Sequence, residues 1–289
     1  MKSDIRVDIH IHTRASDGVW TPEELAEEAE KEGIELFAAT DHNSTGSVAR
    51  AREEAVKREL YFLEAVEIDT TLEGSIYHIL GYDIDTEDRS VQELLAYNKE
   101  LQQSRDIHTL EDLEKRGFPI DWEDYRRYEH DPSRGGWKLL NFCIDRGFCD
   151  NSPYSFSRLF DAEHPIPHPQ YRHPAEAVKA ITGAGGIPVL AHPYGRVGGS
   201  YHLETHEVFR RIKEAGVRGL ECYTPYHSEE MTADTKAFCN EHGLLITGGS
   251  DSHGSFTVKR KIGRPFVTAK ELRLGEIAER AGLPASKTT

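Results

Sequence analysis

The sequence predicts an α/β protein whose strands form a largely parallel barrel, and two observations favour this class. Short apolar segments alternate with helical segments along most of the chain, which is typical of parallel α/β folds. Seven of the apolar segments have the length and composition of barrel strands. In chain order they are IRVDIHI, IELFAATDH, YFLEAVEID, SIYHILGYDI, IPVLAH, RGLECYT and LLITGGSD.

The first helical segment, WTPEELAEEAEKEG, has clear signals at both of its ends. Thr21 is a favourable N-cap residue, and Pro22 suits the first helical position because no N–H is needed there. Glu23 and Glu24 place negative charge beside the positive end of the helix dipole. Gly33 follows the last helical residue, so we expect the helix to end before it.

The alternation of strands and helices stops in the middle of the chain. SVQELLAYNKELQQSRDIHTLEDLEKRG has a long, polar helical pattern, and FPIDWEDYRRYEHDPSRGGW after it is aromatic, charged and irregular. WKLLNFCIDRGF predicts another helix, and the Pro- and His-rich AEHPIPHPQYRHP leads back to the alternating pattern. We therefore expect an inserted, mostly helical subdomain over residues 96–170. Residues 1–95 and 171–289 would form the barrel domain around it.

The composition limits the classes of partner and compartment. The 289 residues include 35 Lys and Arg against 50 Asp and Glu, a formal charge of −15 that does not favour a nucleic-acid polymer as partner. The four cysteines form no C-x-x-C pair and are expected to be reduced thiols. No signal peptide pattern precedes the first strand, and no apolar run approaches the ~20 residues of a membrane span. We expect a cytoplasmic protein without a membrane partner.

Histidines and carboxylates concentrate where the predicted strands end. His10 and His12 lie two residues apart in the first strand, so both imidazoles point to the same face. The loops that follow barrel strands converge at one edge, where active sites are assembled. Buried imidazoles and carboxylates that crowd together need a positive partner, which divalent cations supply. The candidate ligands are His10, His12, Asp17, His42, Glu67, His78, His192, Asp251 and His253.

This set is too large for one ion, so we expect two or three divalent ions, with Glu67 able to bridge two of them. Nitrogen and oxygen ligands suit zinc, manganese or iron, and the absence of cysteine ligands argues against a purely structural zinc site. Clusters of several metal ions are typical of phosphoryl-transfer hydrolysis.

Six motifs in this order resemble the polymerase and histidinol phosphatase (PHP) family of metal-dependent phosphoesterases, within the amidohydrolase-like superfamily. They are DIHIHTRASDG, ATDHN, VEI, YHILGY, LAHP and GSDSH, and the resemblance covers about residues 5–95 and 172–255. It implies a distorted, seven-stranded (β/α)7 TIM-like barrel with a trinuclear metal site. The helical insertion has the placement found in the stand-alone phosphoesterases of the family.

The resemblance also implies a division of the ligands among three ions. One ion would be bound by His10, His12, Glu67 and Asp251, a second by Glu67, His78 and His192, and a third by Asp17, His42 and His253. Some members carry histidine at the position of Asp17. Manganese is the metal that the family favours, with iron or zinc as alternatives. Asp8 and Asp41 would orient the imidazoles of the ligands.

The reaction implied by this arrangement is attack of a metal-bridging hydroxide on phosphorus. Asp251 is the candidate catalytic residue, as a proton shuttle beside the bridging water. Arg134, in DPSRGGW, and His227, in PYHSEEM, are the candidate substrate-binding residues, because relatives carry an arginine and a histidine at similar places. Gly135, Gly136 and Trp137 depart from the pattern of members that act on nucleoside bisphosphates.

The sequence favours a small phosphorylated substrate, above all a nucleotide-type phosphomonoester such as a nucleoside 3′,5′-bisphosphate. A phosphodiesterase acting on a small cyclic phosphate is the first alternative, and the altered surroundings of Arg134 support it. A non-catalytic, metal-binding regulatory module is an alternative of another class, which the complete ligand set disfavours. An amidohydrolase is also chemically feasible, but no strand ends in a lysine suited to carboxylation. The sequence leaves the oligomeric state open.

Overall fold

The computed structural model describes residues 4–150, 153–194 and 205–284, and seven strands within these ranges form one sheet in chain order. The strands are β1 (Val7–Ile11), β2 (Leu36–Ala39), β3 (Tyr61–Leu72), β4 (Ser75–Tyr82), β5 (Ile187–Leu190), β6 (Gly219–Tyr223) and β7 (Leu245–Gly248). A bridge between Ile11 and Ser252 joins β1 to the chain after β7, so the sheet nearly closes. The predicted α/β class and the seven-stranded, TIM-like barrel are confirmed.

The prediction of a parallel arrangement is wrong for β4, which runs antiparallel to both of its neighbours. Leu72 pairs with Ser75, so only Glu73 and Gly74 connect β3 to β4. Both residues have a positive φ, at 51° and 78°, as in the tight turns that join antiparallel strands. A parallel neighbour needs a crossover connection of a dozen or more residues, which two residues cannot provide. The pairs β1–β2, β2–β3, β5–β6 and β6–β7 are parallel.

Apart from the β3–β4 hairpin, the strands are connected by helices. Two 3₁₀ turns lie at Pro132–Arg134 and Gly254–Thr257. The helices are α1 (Pro22–Lys31), α2 (Val48–Lys57), α3 (Arg89–Lys115), α4 (Trp122–Arg127), α5 (Lys138–Asp145), α6 (Pro153–Ser157), α7 (Pro174–Gly183), α8 (Thr205–Glu214), α9 (Glu229–His242) and α10 (Glu276–Arg280). None of the helices in the described ranges is both long and apolar enough to span a bilayer.

The predicted start of α1 is confirmed in detail. The Thr21 hydroxyl accepts a hydrogen bond from the Glu24 N–H at 3.2 Å, and the Glu24 carboxylate accepts one from the Thr21 N–H at 2.8 Å. This capping box satisfies two backbone donors, and Pro22 occupies the first helical position.

Helix α3 connects the barrel to a second hydrophobic core. Val91 and Leu95 pack with the barrel residues beneath it, whereas Leu110 and Leu113 pack with α5 and α6 in a separate cluster. The expected division at residue 96 therefore falls inside one continuous helix, and the division into two domains stays a prediction. Phe256, which follows β7, also packs on the cluster of α5 and α6, so the inserted region lies beside the ends of the barrel strands.

Candidate metal centre

The nine predicted metal ligands converge at the end of the barrel where the parallel strands terminate. His10 lies in β1, Glu67 and His78 lie in the β3–β4 hairpin, and the others lie in the segments that follow strands. Within each of three groups the candidate ligand atoms lie within 4.8 Å of one another. These groups are His10, His12, Glu67 and Asp251; Glu67, His78 and His192; and His12, Asp17, His42 and His253. The grouping agrees with the expected division among three ions, with His12 also near the third.

Glu67 occupies the centre of the cluster and is completely buried. Its Oε1 lies 3.2 Å from Nε2 of His10, 3.1 Å from Nδ1 of His78 and 3.1 Å from Nε2 of His192. Its Oε2 lies 3.2 Å from Nε2 of His12 and 3.1 Å from Nδ1 of His42. One carboxylate thus faces five imidazoles, which is the position required of a ligand that bridges two ions.

Several buried atoms of this cluster have no hydrogen-bond partner. They are Nε2 of His10, both ring nitrogens of His12, Oδ1 of Asp17, Nδ1 of His42, Oε2 of Glu67, Oδ1 of Asp69 and Oδ1 of Asp251. Buried polar atoms without partners are rare in proteins and unfavourable. Because so many occur together, and because all are nitrogen or carboxylate oxygen atoms, this cluster fits divalent cations such as manganese, iron or zinc.

The charges in the cluster couple the binding of metal ions to the release of protons. Burial lowers the pKa of His10, but the carboxylates of Glu221, Glu67 and Asp251 outweigh it and raise that pKa well above its usual value. Burial raises the pKa of Glu67, but the imidazoles of His42, His10 and His78 outweigh it and hold that pKa well below its usual value. The raised pKa of His10 favours its protonated form in the absence of metal, so a cation that binds at this ring must displace a proton.

Glu221 is the residue that orients the imidazole of His10, and the sequence analysis missed it. Its Oε1 lies 3.0 Å from Nδ1 of His10, which turns Nε2 of that ring toward Glu67. Its Oε2 accepts a hydrogen bond from the His192 N–H at 2.8 Å. Glu221 is completely buried in β6, and a charged residue inside the apolar segment GLECYT was the signal that could have identified it.

Asp8 and Asp41, the expected orienting residues, hold the backbone of the loops. Asp8 accepts hydrogen bonds from the Ser250 N–H at 2.9 Å and from the Gly263 N–H at 2.7 Å. Burial raises the pKa of Asp8 to about 6. Asp41 accepts from both the N–H and the hydroxyl of Thr13, each at 2.7 Å. The loops that carry His12 and Asp251 are therefore fixed by carboxylates that touch their backbone.

Asp251 is held on one side by two further residues that were not predicted. The Tyr226 hydroxyl donates a hydrogen bond to Oδ2 of Asp251 at 2.5 Å, and the Arg260 guanidinium contacts the same oxygen. Arg260 also donates to the Tyr226 hydroxyl at 2.7 Å. Burial raises the pKa of Asp251, but Arg260 and His10 outweigh it and hold that pKa well below its usual value. A carboxylate with a low pKa suits a metal ligand better than a proton shuttle, so the catalytic role of Asp251 stays a prediction.

Arg134 lies in the inserted region and is paired within it. Its Nη1 lies 2.9 Å from the carboxylate of Asp145, which also accepts a hydrogen bond from the Tyr128 hydroxyl at 2.6 Å. The chain then turns toward the metal cluster, because the Gly136 N–H donates to the carbonyl of Asp17 at 2.8 Å. The position of Arg134 is compatible with a substrate contact, which remains a prediction.

His227, the other predicted substrate residue, lies near His192 and has partners on both ring nitrogens. Nδ1 lies 2.9 Å from the carbonyl oxygen of Cys222, and Nε2 lies 3.4 Å from the Tyr194 N–H. Burial lowers the pKa of His227, so the ring is neutral at pH 7. A neutral ring with these partners offers a substrate little more than its apolar face, and the substrate role stays a prediction.

A seven-stranded barrel with histidines and carboxylates gathered at its strand ends defines a metal-dependent hydrolase. The PHP domain matches residues 8–181, and the chain belongs to this family. It is a metal-dependent phosphoesterase, a hydrolase that acts on phosphoric ester bonds, and its cluster of histidines and carboxylates fits divalent metal ions.

Several curated relatives are similar to this chain over most of their length. A 3′,5′-nucleoside bisphosphate phosphatase of Chromobacterium violaceum is 28% identical over 263 residues, 89% of this chain and 90% of the relative. The 5′-3′ exoribonuclease Rnm of Salmonella typhimurium is 30% identical over 252 residues, 85% of this chain and 84% of the relative. A phosphoribosyl 1,2-cyclic phosphate 1,2-diphosphodiesterase of Eggerthella lenta is 26% identical over 270 residues, 86% of this chain and 94% of the relative.

Two solved structures are similar in fold. A protein of Bifidobacterium adolescentis, described as a metal-dependent phosphoesterase, superposes with a TM-score of 0.79 at 27% identity, over 94% of this chain and 95% of that chain. A protein of Chromobacterium violaceum, described as an amidohydrolase with bound sulfate and no metal, superposes with a TM-score of 0.73 at 27% identity. That superposition covers 86% of this chain and 87% of that chain.

Proposed function

We propose that this protein hydrolyses a small, nucleotide-type phosphomonoester, such as a nucleoside 3′,5′-bisphosphate. In this proposal two or three divalent ions assist the reaction, and manganese is the first candidate among the metals. The observation that carries the proposal is the group of buried, unpartnered ligand atoms around Glu67. His42, Asp17 and His78 mark the open side, since their side chains are 21%, 20% and 17% exposed. A phosphoryl group can approach the centre from there.

In this proposal the ions take the three ligand groups described above. Bound there, they would supply Lewis-acid stabilisation of the phosphoryl oxygens and a water of lowered pKa. The residues around them keep the ligand atoms in place: Glu221 sets the ring of His10, and Asp8 and Asp41 hold the loops.

Arg260 is the arginine best placed to bind the phosphoryl group of the substrate. Its guanidinium lies beside Asp251 at the edge of the metal cluster, and the fork of N–H donors in arginine matches phosphate oxygens. Arg134, on the inserted region, and His227, near His192, would contact parts of the substrate farther from the reacting phosphorus. Asp251 remains the candidate to accept or release the proton, in addition to its ligand role.

One relative supports a nucleotide-type substrate, and a structural neighbour supports a phosphate ester in general. The relative from Chromobacterium violaceum is a nucleoside bisphosphate phosphatase, and a structural neighbour binds sulfate, whose shape and charge resemble those of phosphate. The exoribonuclease relatives act on a polymer, so the size of the substrate has to be tested directly. The formal charge of −15 favours the small substrate, because RNA binding relies on basic surfaces.

A small cyclic phosphate is the second candidate substrate, and the loop after Arg134 favours it. Gly135 and Gly136 both have a positive φ, at 73° and 74°, and a Cβ on Gly135 would lie 2.6 Å from Phe256 and 3.0 Å from the carbonyl of Asp17. The inserted region therefore comes very close to the metal cluster, which suits a compact substrate. A relative from Eggerthella lenta acts on a cyclic phosphate of ribose.

The experiment is phosphate release by the manganese-loaded protein, with a nucleoside 3′,5′-bisphosphate, nucleoside monophosphates, sugar phosphates, cyclic phosphates and a short RNA as substrates. We expect turnover of the bisphosphate that is lost in His12→Ala and retained in His242→Ala, because His242 lies in α9 outside the cluster. Turnover confined to a cyclic phosphate or to RNA would replace the proposed substrate. No turnover of any compound by a protein shown to hold its metals would favour the regulatory module.

A further inference from the structure

Asp69 is a buried carboxylate at the metal cluster that the three ligand groups above do not use. It follows Glu67 by two residues on β3, so both side chains point to the same face of the sheet. It pairs with His78 across the β3–β4 hairpin and is only 5% exposed. Its position therefore brings another negative charge to the open side of the cluster.

One oxygen of Asp69 is aimed at two imidazoles without a hydrogen bond. Oδ1 lies 3.2 Å from Nδ1 of His42 and 3.5 Å from Nε2 of His78. Both Oδ1 and Nδ1 of His42 are buried without a hydrogen-bond partner. One ligand atom each from His42, Asp69 and His78 lies within 4.8 Å of the other two. Unpartnered atoms that converge in this way are expected where a cation binds among them.

The other oxygen of Asp69 is fixed by the protein. Oδ2 accepts hydrogen bonds from Nδ2 of Asn43 at 2.8 Å and from Nε2 of Gln102 at 2.9 Å. The Asp69 N–H donates to Oδ1 of Asn43 at 3.1 Å, and Nδ2 of Asn98 donates to the same atom at 2.7 Å. Asn98 and Gln102 belong to α3, so the long helix of the inserted region sets the orientation of this carboxylate.

We propose that Oδ1 of Asp69 is a further metal ligand, which binds a divalent cation together with His42 and His78, so that these two histidines share one ion instead of belonging to two different ones. The inference rests on the proposed function only in requiring that the centre binds divalent ions. Two imidazole nitrogens and one carboxylate oxygen form a common ligand set for such ions. Gln102 is then a positioning residue, through which the inserted region affects how tightly this ion is held.

The direct test is a crystal structure of the zinc-loaded protein, with zinc located by anomalous scattering. We expect a zinc peak about 2.0–2.2 Å from Oδ1 of Asp69, the usual zinc–carboxylate distance. If every zinc peak lies beyond that distance, with Oδ1 accepting an imidazole N–H, Asp69 only orients a histidine and the proposal is overturned.

A solution test measures how many zinc ions remain bound against a chelator of graded concentration. We expect Asp69→Asn to release its weakest ion at a chelator concentration about 10–100-fold lower than the wild type does. Gln102→Ala should shift the same ion in the same direction by a smaller factor, and it carries the test if Asp69→Asn does not fold. Asp106→Asn is the matched control, because Asp106 is a buried carboxylate of α3 that pairs with Arg105.

Identical release curves for the wild type, Asp69→Asn and Gln102→Ala would overturn the proposal. Both tests record binding and not turnover. A protein that holds zinc at Asp69 but hydrolyses no phosphate ester would leave this inference intact and refute the proposed function. A phosphatase in which Asp69 binds no ion would do the opposite.

Discussion

The hydroxyl of Tyr226 lies 2.5 Å from Oδ2 of Asp251 and donates a hydrogen bond to it, while Oδ1 of the same carboxylate has no partner. Oδ1 instead faces Nε2 of His12 at 3.0 Å. Asp69 and His10 likewise have one atom that is hydrogen-bonded to the protein and one that has no partner. In His10, Nδ1 is fixed by Glu221 and Nε2 is unpartnered. In each case protein groups hold one atom of the side chain, so the other atom stays turned toward the cluster, where a divalent ion would bind.

Replacement of Tyr226 by phenylalanine tests whether the hydrogen bond to Oδ2 of Asp251 keeps this carboxylate in place for the metal. The variant loses one hydrogen bond to a charged carboxylate, and Arg260 remains as the second donor. We expect kcat/KM to fall about 10-fold, since one such bond contributes roughly 1.5 kcal/mol. The fall should be smaller at high metal concentration, because a loosened ligand weakens ion binding. Tyr223→Phe is the control, because the Tyr223 hydroxyl bonds to Lys236. Equal losses in both variants would contradict the prediction.

Arg260 and Arg134 can be compared as binders of the phosphoryl group. Arg260 lies beside Asp251 at the cluster, whereas Arg134 is paired with Asp145 in the inserted region. We expect Arg260→Gln to raise KM or lower kcat/KM by about 10–100-fold, as the loss of a charge-assisted hydrogen bond predicts. Arg134→Gln should have a smaller effect. Steady-state kinetics of both variants on the same substrate shows which arginine contributes more to substrate binding. A larger effect at Arg134 would favour the prediction from the sequence that Arg134 binds the substrate.

Glu221 supports the metal site without being a ligand, and removal of its charge should weaken the binding of metal. In Glu221→Gln the amide no longer fixes the ring of His10 as strongly. We expect the affinity for the tightest ion to fall about 10–100-fold, as is usual for groups that orient a ligating histidine. Calorimetric titration of the metal-free protein with the metal ion measures the change in affinity. Glu230→Gln, an exposed change in α9, should leave the affinity unaltered.

The parts of the site that follow from strand periodicity could be predicted from the sequence. His10 and His12 alternate on one strand, and parallel strands end at one edge, so the convergence of distant residues was predictable. Asp69 obeys the same period of two after Glu67 but was overlooked. The direction of β4 was predicted wrongly, although the five residues TTLEG between the two predicted strands are too few for the crossover that a parallel pair needs.

Other parts of the site depend on tertiary contacts that no local pattern encodes. Tyr226 and Arg260 lie in loops, and their meeting at Asp251 results from the path of the chain after β6 and β7. Arg134 was chosen by its place in the sequence, but its partner Asp145 becomes visible only once α5 is packed.

The ion pairs of Glu54 should make part of the free energy of unfolding depend on pH. Its carboxylate is nearly covered in α2 and lies 2.6 Å from Nζ of Lys57 and 2.6 Å from Nη1 of Arg58. Lys57 and then Arg58 hold the pKa of Glu54 below its usual value. The folded state therefore binds this proton less tightly than the unfolded state, so the stabilisation is present above pH 4.5 and is lost as the pH falls through the lower, folded pKa.

The measurement is the free energy of unfolding of the wild type and of Glu54→Gln between pH 3 and pH 7, in chelator, so that metal release does not contribute. We expect the wild type to be the more stable protein at pH 7, and the difference to shrink toward pH 3. A difference that stays constant over this range would show that the carboxylate charge of Glu54 does not stabilise the fold.

Gly249, directly after β7, packs tightly against the candidate ligand His10. A Cβ at this position would lie 2.3 Å from Cβ of His10, 2.7 Å from the His10 nitrogen and 3.0 Å from Oε1 of Glu221. The two distances to His10 are too short for any real Cβ atom, and the distance to Glu221 is tighter than an ordinary contact. Gly249→Ala must therefore push β1 away from the chain after β7. We expect a loss of about 1–3 kcal/mol in the free energy of unfolding, typical of overpacked cores. Metal affinity should fall as well, because His10 moves.

Gly183→Ala provides the matched control, because a Cβ on Gly183, at the end of α7, would meet no atom within 4 Å. We expect this change to leave the stability unaltered or to raise it by about 0.5–1 kcal/mol, through the lower entropy of the unfolded chain. Denaturant unfolding of both variants, with metal titration of each, separates the two positions. If Gly249→Ala unfolded like Gly183→Ala and bound metal normally, the close packing of β7 against His10 would not be what holds this ligand in place.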